Sequence, residues 1–205
     1  ERDRLTSGTT WHAAGLVGQL RGTQNLTRLA QYGTALYENL EAETGQPTGF
    51  VKCGSIMLAS SDARWSEVRR AHSTAAAFGV ETELLSPEAV QERWPLIDLY
   101  GVRGGLWLPN DGQINPTDLT VALARGARAQ GAMIREQTQV TRLLADDGRI
   151  VGVETAEGTV YADTVVLAGG MWSRALGHTA GVKLPLHAAE HFYVVTEALP
   201  EPPGR

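Results

Sequence analysis

"TSGTTWHAAGL", residues Thr6 to Leu16, is the stretch on which the reading of the whole chain turns. Four hydroxyl residues and Gly8 lead into Trp11 and His12, and Ala13, Ala14 and Gly15 follow with almost no side chain. Ser7, Thr9 or Thr10 would suit a helix start, because hydroxyls accept hydrogen bonds from free backbone N–H groups. Capping does not account for an imidazole set between a large indole and a run of small residues. Small residues let another body approach the backbone closely. The stretch therefore reads as a loop against which something else lies, with His12 facing it.

The rest of the chain sets the frame. Its 205 residues are enough to bury a real core in one large domain or two small ones. Charged residues make up 20% and the net charge is −5, with no basic stripe, so nucleic acid is excluded as a partner. No apolar run approaches the roughly 18 residues a membrane span needs, so no membrane partner is expected. The single Cys53 excludes an internal disulfide and fits a reducing compartment. The given residues begin at Glu1 rather than Met and carry no signal-peptide pattern, as expected of a piece of a longer protein.

Outward from the opening stretch, Leu26, Leu29, Ala30, Tyr37 and Leu40 recur at helical spacing between Asn25 and Thr44, and Gly45 is placed to end that helix. "GFVKCGSIMLAS" predicts one or two strands around Gly54, and residues 62–78 a second helix closed by Gly79. Ser86, Pro87 and Pro95 mark the cap, first turn and stop of a third. "GGLWLP" predicts a strand, and "NDGQINP" a turn feeding a helix over 116–130. "AMIRE", "QVTRLLADD", "RIVGVETAEG" and "TVYA" predict short strands joined at Asp147-Gly148 and Glu157-Gly158. "DTVVLAGG" predicts an apolar strand ending in Gly169 and Gly170, with a short helix after it, and "PLHAAEHFYVVTE" a long alternating strand. This order indicates an α/β nucleotide-binding architecture with an antiparallel layer interleaved.

In doubly wound folds, ligands bind where loops leave the carboxyl ends of strands. Gly169 and Gly170 occupy such an exit, reading either as bare backbone against a cofactor or as a tight strand-to-helix turn. Glu1 reads either as a ribose ligand at a strand end or as an ordinary exposed glutamate. No G-x-G-x-x-G occurs, so a pyrophosphate loop would lie upstream of Glu1. His72 reads as solvated on a polar helix. His187, His191 and Tyr193 share one face of the predicted last strand, which is either a functional surface or a polar face turned to water. No metal-ligand spacing and no G-x-S-x-G elbow appear.

The stretches "ERDRLTSGTTWHAAGLVGQLR", "LWLPNDGQINPTDLT", "GVETAEG", "LAGGMWSR" and "AGVKLPLHAAEHFYVVTE" together resemble the sarcosine and dimethylglycine dehydrogenases, within the D-amino-acid-oxidase-like flavoproteins. The similarity runs end to end and in order. It implies an α/β fold in which a Rossmann-like, glutathione-reductase-type FAD-binding domain is interleaved with an antiparallel substrate-binding sheet. The FAD-binding segments would be 1–45 and 111–182, and the substrate-domain segments 46–110 and 183–205. The N-terminal Gly-rich strand and the C-terminal part of such an enzyme would lie outside these residues, so the chain alone should neither close the FAD site nor turn over.

The resemblance also implies roles. His12 matches the histidine that carries FAD covalently through the flavin 8α-methyl carbon, with Trp11 fixing the imidazole and Ala13, Ala14 and Gly15 leaving room for the ring. Gly8, Thr9, Thr10 and Leu16 belong to the same loop along the flavin and pyrophosphate. Glu1 and Arg2 match the strand end at the adenosine ribose, Val140 the backbone at the adenine, and Gly169, Gly170 and Trp172 residues lining the cofactor. His191 matches a histidine over the flavin that handles the substrate amine, and Tyr193 its companion. The implied reaction is hydride loss from an N-methyl group of sarcosine or dimethylglycine to flavin N5, giving an iminium. That product yields formaldehyde or passes its carbon to tetrahydrofolate where a C-terminal folate domain exists. The implied acceptor is an electron-transfer flavoprotein or oxygen. Another secondary or tertiary amine as substrate and a non-catalytic FAD-binding relative are the alternatives; nothing resembles a nicotinamide site. Ala- and Arg-rich helices such as "VALARGARAQGA" lean towards a bacterial cytoplasm over a mitochondrial matrix.

Overall fold

The computed structural model describes residues 1–192, 194 and 197, so Tyr193 lies outside the described residues. They form two compact units, one of residues 9–132 and one of residues 1–8 with those from 133 on.

The unit of residues 9–132 is built on four helices, each with a side-chain cap. Helix α1 (Gln24–Thr44) is capped by the Thr23 hydroxyl, which accepts from Leu26 N at 3.3 Å, and is ended by Gly45 in the left-handed region. Helix α2 (Asp62–Phe78) repeats the design with Ser61 and Gly79. Between α1 and α2 runs strand β2 (Ser55–Ala59), and strand β1 (Leu16–Val17) precedes α1. Strand β3 (Glu83–Leu85) leads into helix α3 (Pro87–Arg93), with Ser86 as its cap. Strand β4 (Gly104–Leu108) is central in an antiparallel sheet of order β2-β4-β3. Ala59, Val68, Ala75, Val80, Leu106 and Leu108 close the core between this sheet and α2. Each of the valine and leucine side chains, when fully buried, contributes roughly 1.5–3 kcal/mol.

Two glycines set how closely this sheet is approached. Gly54 has φ +73°, and a Cβ there would stand 1.9 Å from the Trp107 ring. A Cβ at Gly105 would stand 2.9 Å from Ile56 and 3.0 Å from Val90, so its absence lets α3 seat on the sheet. Beyond β4, the "NDGQINP" turn contains a strand, β5 (Gly112–Gln113), which pairs antiparallel with β1 and bridges to Val51. Helix α4 (Pro116–Ala129) follows, with the Asn115 side chain accepting from Thr117 N and Asp118 N. α4 packs on α1, and the Cβ that Gly126 lacks would stand 3.2 Å from Thr44.

In the other unit, strands β6 (Val140–Asp146), β7 (Arg149–Thr155) and β8 (Gly158–Tyr161) form an antiparallel meander. Asp147 (φ 44°) and Gly148 (φ 74°) make the turn the sequence predicts. The second turn differs by one residue: Thr155 pairs with Gly158, so the loop is Ala156–Glu157 and Gly158 opens β8. Gly170–Trp172 form a single 3-10 turn, and helix α5 (Ser173–His178) follows.

All three sheets of the described residues are antiparallel. The predicted strands at 132–136, 163–168 and 185–192 carry no ladder. A strand exists only where a neighbour takes its backbone hydrogen bonds, and none does so among the described residues. His187 and His191 therefore share no strand face here. His72 is also not simply solvated: it is half-buried, with Nδ1 2.7 Å from the Thr82 hydroxyl.

Candidate cofactor-binding residues

Within residues 9–132, Thr10, Trp11 and His12 make one 3-10 turn. It is closed by backbone bonds from His12 N to Thr9 O (3.3 Å) and from Ala13 N to Thr10 O (3.0 Å). The hydroxyls do not cap it. Thr9 stands at the cap position without a side-chain bond, and Ser7, in the other unit, donates its hydroxyl to Arg4 O at 2.8 Å. The Trp11 and His12 rings lie 3.7 Å apart between centroids, tilted by 36°. Trp11 is 56% exposed, and His12, Ala13 and Ala14 are exposed beside it. Small exposed residues next to an exposed imidazole give a flat partner room to come edge-on to the ring.

Gly15 ends this exposed run and is buried. Its O accepts from Ile114 N at 2.8 Å, and its φ is +74°. A Cβ would stand 2.1 Å from Ile114 O, so only glycine allows β1 to meet β5 here. Leu16 is 82% exposed, and Val17 pairs with Gly112. A buried carboxylate secures the far end: Asp111 accepts from Gln19 N at 2.9 Å and from the Ser55 hydroxyl at 2.6 Å. Sequence reasoning passed over Asp111 because an Asp-Gly pair reads as a turn. Its neighbour Asn110 does hold a second bond, accepting from Gln19 Nε2 at 3.1 Å.

Within the other unit, Glu1 O accepts from Thr138 N and Asp3 O from Gln137 N, both at 2.9 Å, so the opening residues run beside the approach to β6. The Glu1 carboxylate is exposed and takes Asp3 N at 3.3 Å. Arg2 pairs with Asp3 at 2.9 Å and lies over the Trp172 ring, 5.0 Å from its centroid. Gly8 faces the same indole, whose edge would be 3.7 Å from a Cβ placed there. Trp172 thus joins Arg2 and Gly8 to the Gly169–Gly170 turn, where Trp172 N donates to Gly169 O at 3.0 Å. Gly170 has φ +53° and would meet nothing within 4 Å with a Cβ added. Val140, half-buried, opens β6 opposite Thr155. Gly169 is closer packed, since a Cβ there would stand 3.3 Å from the Ser173 hydroxyl. His191 is exposed in a segment without regular structure. Among the described residues no backbone hydrogen bond, ring contact or cation–π contact joins it to Trp172 or Gly170.

A family model described as DAO, FAD dependent oxidoreductase, matches residues 1–205. The 4-methylaminobutanoate oxidase (formaldehyde-forming) of Paenarthrobacter nicotinovorans is 46% identical over 207 aligned residues, 99% of this chain and 25% of that protein. Human mitochondrial sarcosine dehydrogenase is 42% identical over 205 residues, 97% of this chain and 22% of that protein. The chain spans about a quarter of the length of these relatives. Among solved structures, L-proline dehydrogenase from P. horikoshii matches with a TM-score of 0.81 at 29% identity, over 89% of this chain and 48% of that one. The mixed α/β fold with antiparallel sheets is therefore that of these oxidoreductases. No helix of the described residues is long and apolar enough to cross a membrane.

Proposed function

The chain belongs to the DAO family of FAD-dependent oxidoreductases, and from that premise we propose that the complete protein oxidises an N-methyl amino acid, with His12 joined to FAD. The observation that carries the proposal is the exposed His12 imidazole, 3.7 Å from Trp11 and followed by exposed alanines. The tilted indole beside it restricts the imidazole's rotation, and the alanines that follow add little bulk next to it. The bound flavin supplies a two-electron acceptor for the hydride released from the N-methyl carbon.

The chain's own residues would do the rest. Glu1 takes the ribose hydroxyls, while Arg2, stacked on Trp172, stiffens that end. Val140 offers its backbone to the adenine, and Gly169 and Gly170 leave room for the phosphates and sugar. His191 accepts a proton or hydrogen bond from the substrate amine, keeping it neutral so that its lone pair assists hydride loss. Tyr193 assists there. The substrate is sarcosine, dimethylglycine or a related secondary or tertiary amine, and the product iminium hydrolyses to formaldehyde. Transfer of the carbon to tetrahydrofolate requires a folate-binding domain in the complete protein. Electron-transfer flavoprotein or oxygen reoxidises the enzyme.

The test is a denaturing gel of the complete protein under ultraviolet light. Flavin fluorescence should travel with the chain and vanish in His12→Ala. A band without fluorescence, or fluorescence surviving in His12→Ala, overturns the attachment.

A further inference from the structure

Strand β1 has only two residues, and it meets β5 through the pairs Leu16–Gln113 and Val17–Gly112. Hydropathy specifies a register where one face of a strand is buried, and Leu16 is 82% exposed. So short a ladder does not fix its own alignment. A slip of one residue would carry the chain about 3.3 Å along β5 and turn Leu16 and Val17 to opposite faces. His12 lies four residues before Leu16, and a covalent bond to a cofactor tolerates no such displacement. Gly15, against Ile114 O, marks one end of β1. The other end is held by Asp111.

The backbone of Asp111 belongs to the sheet of β2 and β4. Asp111 O accepts from Gly54 N at 2.8 Å, just before β2, and Asp111 N donates to Leu108 O, the last residue of β4, at 3.3 Å. Its carboxylate joins two elements: Oδ2 accepts from the Ser55 hydroxyl at 2.6 Å, and Oδ1 from Gln19 N at 2.9 Å, two residues past β1. The carboxylate is 6% exposed and has no ion pair among the described residues. Arg21 comes near without bonding, since Arg21 Nη1 and Asp111 Oδ2 each stand 3.4 Å from the position of a Cβ on Gly18. A buried charge is costly in itself, but a charged acceptor holds an N–H more firmly than a neutral one. Fixing a register is the best-attested use of such a group.

We propose that Asp111 is a positioning residue for flavin attachment: by tying Gln19 N to the β2–β4 sheet it sets the register of β1 on β5, and with it the place of His12. This rests on the proposed bond between His12 and FAD and adds the residue that aims it. Asp111 acts through Gln19 and β1 and touches no reacting atom.

The test uses the complete protein and two readouts. The first is the share of bound flavin that stays with the chain after acid precipitation. Asp111→Leu, similar in size and without hydrogen-bonding groups, should lower that share about tenfold. Asp111→Asn, which still accepts from Gln19 N, should keep most of it. The second reads the register without flavin, from Leu16→Cys with Gln113→Cys in a Cys53→Ser background, the disulfide being followed by mass spectrometry of the digest. Gln113 N and O both bond Val51 on the far side, which leaves Leu16–Gln113 a non-hydrogen-bonded pair with Cα atoms about 4.5 Å apart, within disulfide reach. The cross-link should form readily with Asp111 present and about tenfold more slowly in Asp111→Leu. Asp111→Ser, too short to reach Gln19 N, takes the place of Asp111→Leu if the leucine variant does not fold. Unchanged cross-linking overturns the proposal, as does an unchanged acid-resistant share with only the Tm lowered. If the wild type releases all its flavin to acid, the attachment reading fails, and the cross-linking rate alone decides whether Asp111 sets the register.

Discussion

Residues 9–132 enclose Ala59, Val68, Ala75 and Leu106 at 0% exposure, whereas the other unit leaves every residue of β8 exposed and, beyond the meander, Val166 83% exposed. Both units carry candidate cofactor residues, but they hold them differently. The His12 loop is anchored by buried features, Gly15 against Ile114 and the Asp111 carboxylate against Gln19 and Ser55. Arg2 and Trp172 are tied by contacts open to water, the Arg2–Asp3 ion pair and a cation–π stack worth roughly 0.5–1 kcal/mol at exposed positions, and Glu1 by a backbone bond from Thr138. A site held by buried geometry tolerates little change at its anchors. One held by exposed contacts should lose function gradually and stability hardly at all.

That contrast can be broken at its strongest point first. Gly15→Ala places a Cβ 2.1 Å from a backbone oxygen and forces alanine to φ +74°, so it should cost about 3 kcal/mol. Denaturant unfolding measures the loss, and the gel band should also lose its flavin fluorescence. Leu106→Ala, in the closed core, should cost about 2–5 kcal/mol, while Val160→Ala in exposed β8 should stay within about 1 kcal/mol. Similar values for these two would erase the distinction between the units.

The smallest effect sharpens the picture at a helix end. Ser86→Ala should cost α3 about 1 kcal/mol as a lost cap. The Glu88 carboxyl is held below its ordinary range by a hydrogen bond from Ser86 and then by its own backbone amide. A depressed carboxyl favours the fold above its unfolded pKa and loses that contribution as pH falls through the folded value. An NMR titration should therefore show Glu88 moving up in Ser86→Ala.

The helices and tight turns were legible in the sequence because their signals are local. Thr23 with Gly45, Ser61 with Gly79, and Asp147-Gly148 each mark an end within a few residues. The pairing of β1 with β5 was not legible, since Leu16 and Gln113 are distant in the chain and each strand has only two residues. The strands expected at 163–170 and 185–197 carry no ladder among the described residues, because hydropathy cannot state whether a neighbour is present to pair with them. Trp11, His12 and the glycines stood out by residue type. Asp111 did not, because a charged side chain reads as surface until the structure shows the carboxylate buried.

The 3-10 turn at Thr10–His12 and the fixed Gly15 are separated by two alanines. With both ends determined, Ala13 and Ala14 act as a spacer whose count, more than whose identity, aims the imidazole. Serine or glycine at either position would keep the reach of the tether. Inserting or deleting one residue would swing the ring to a new bearing, whatever that residue was.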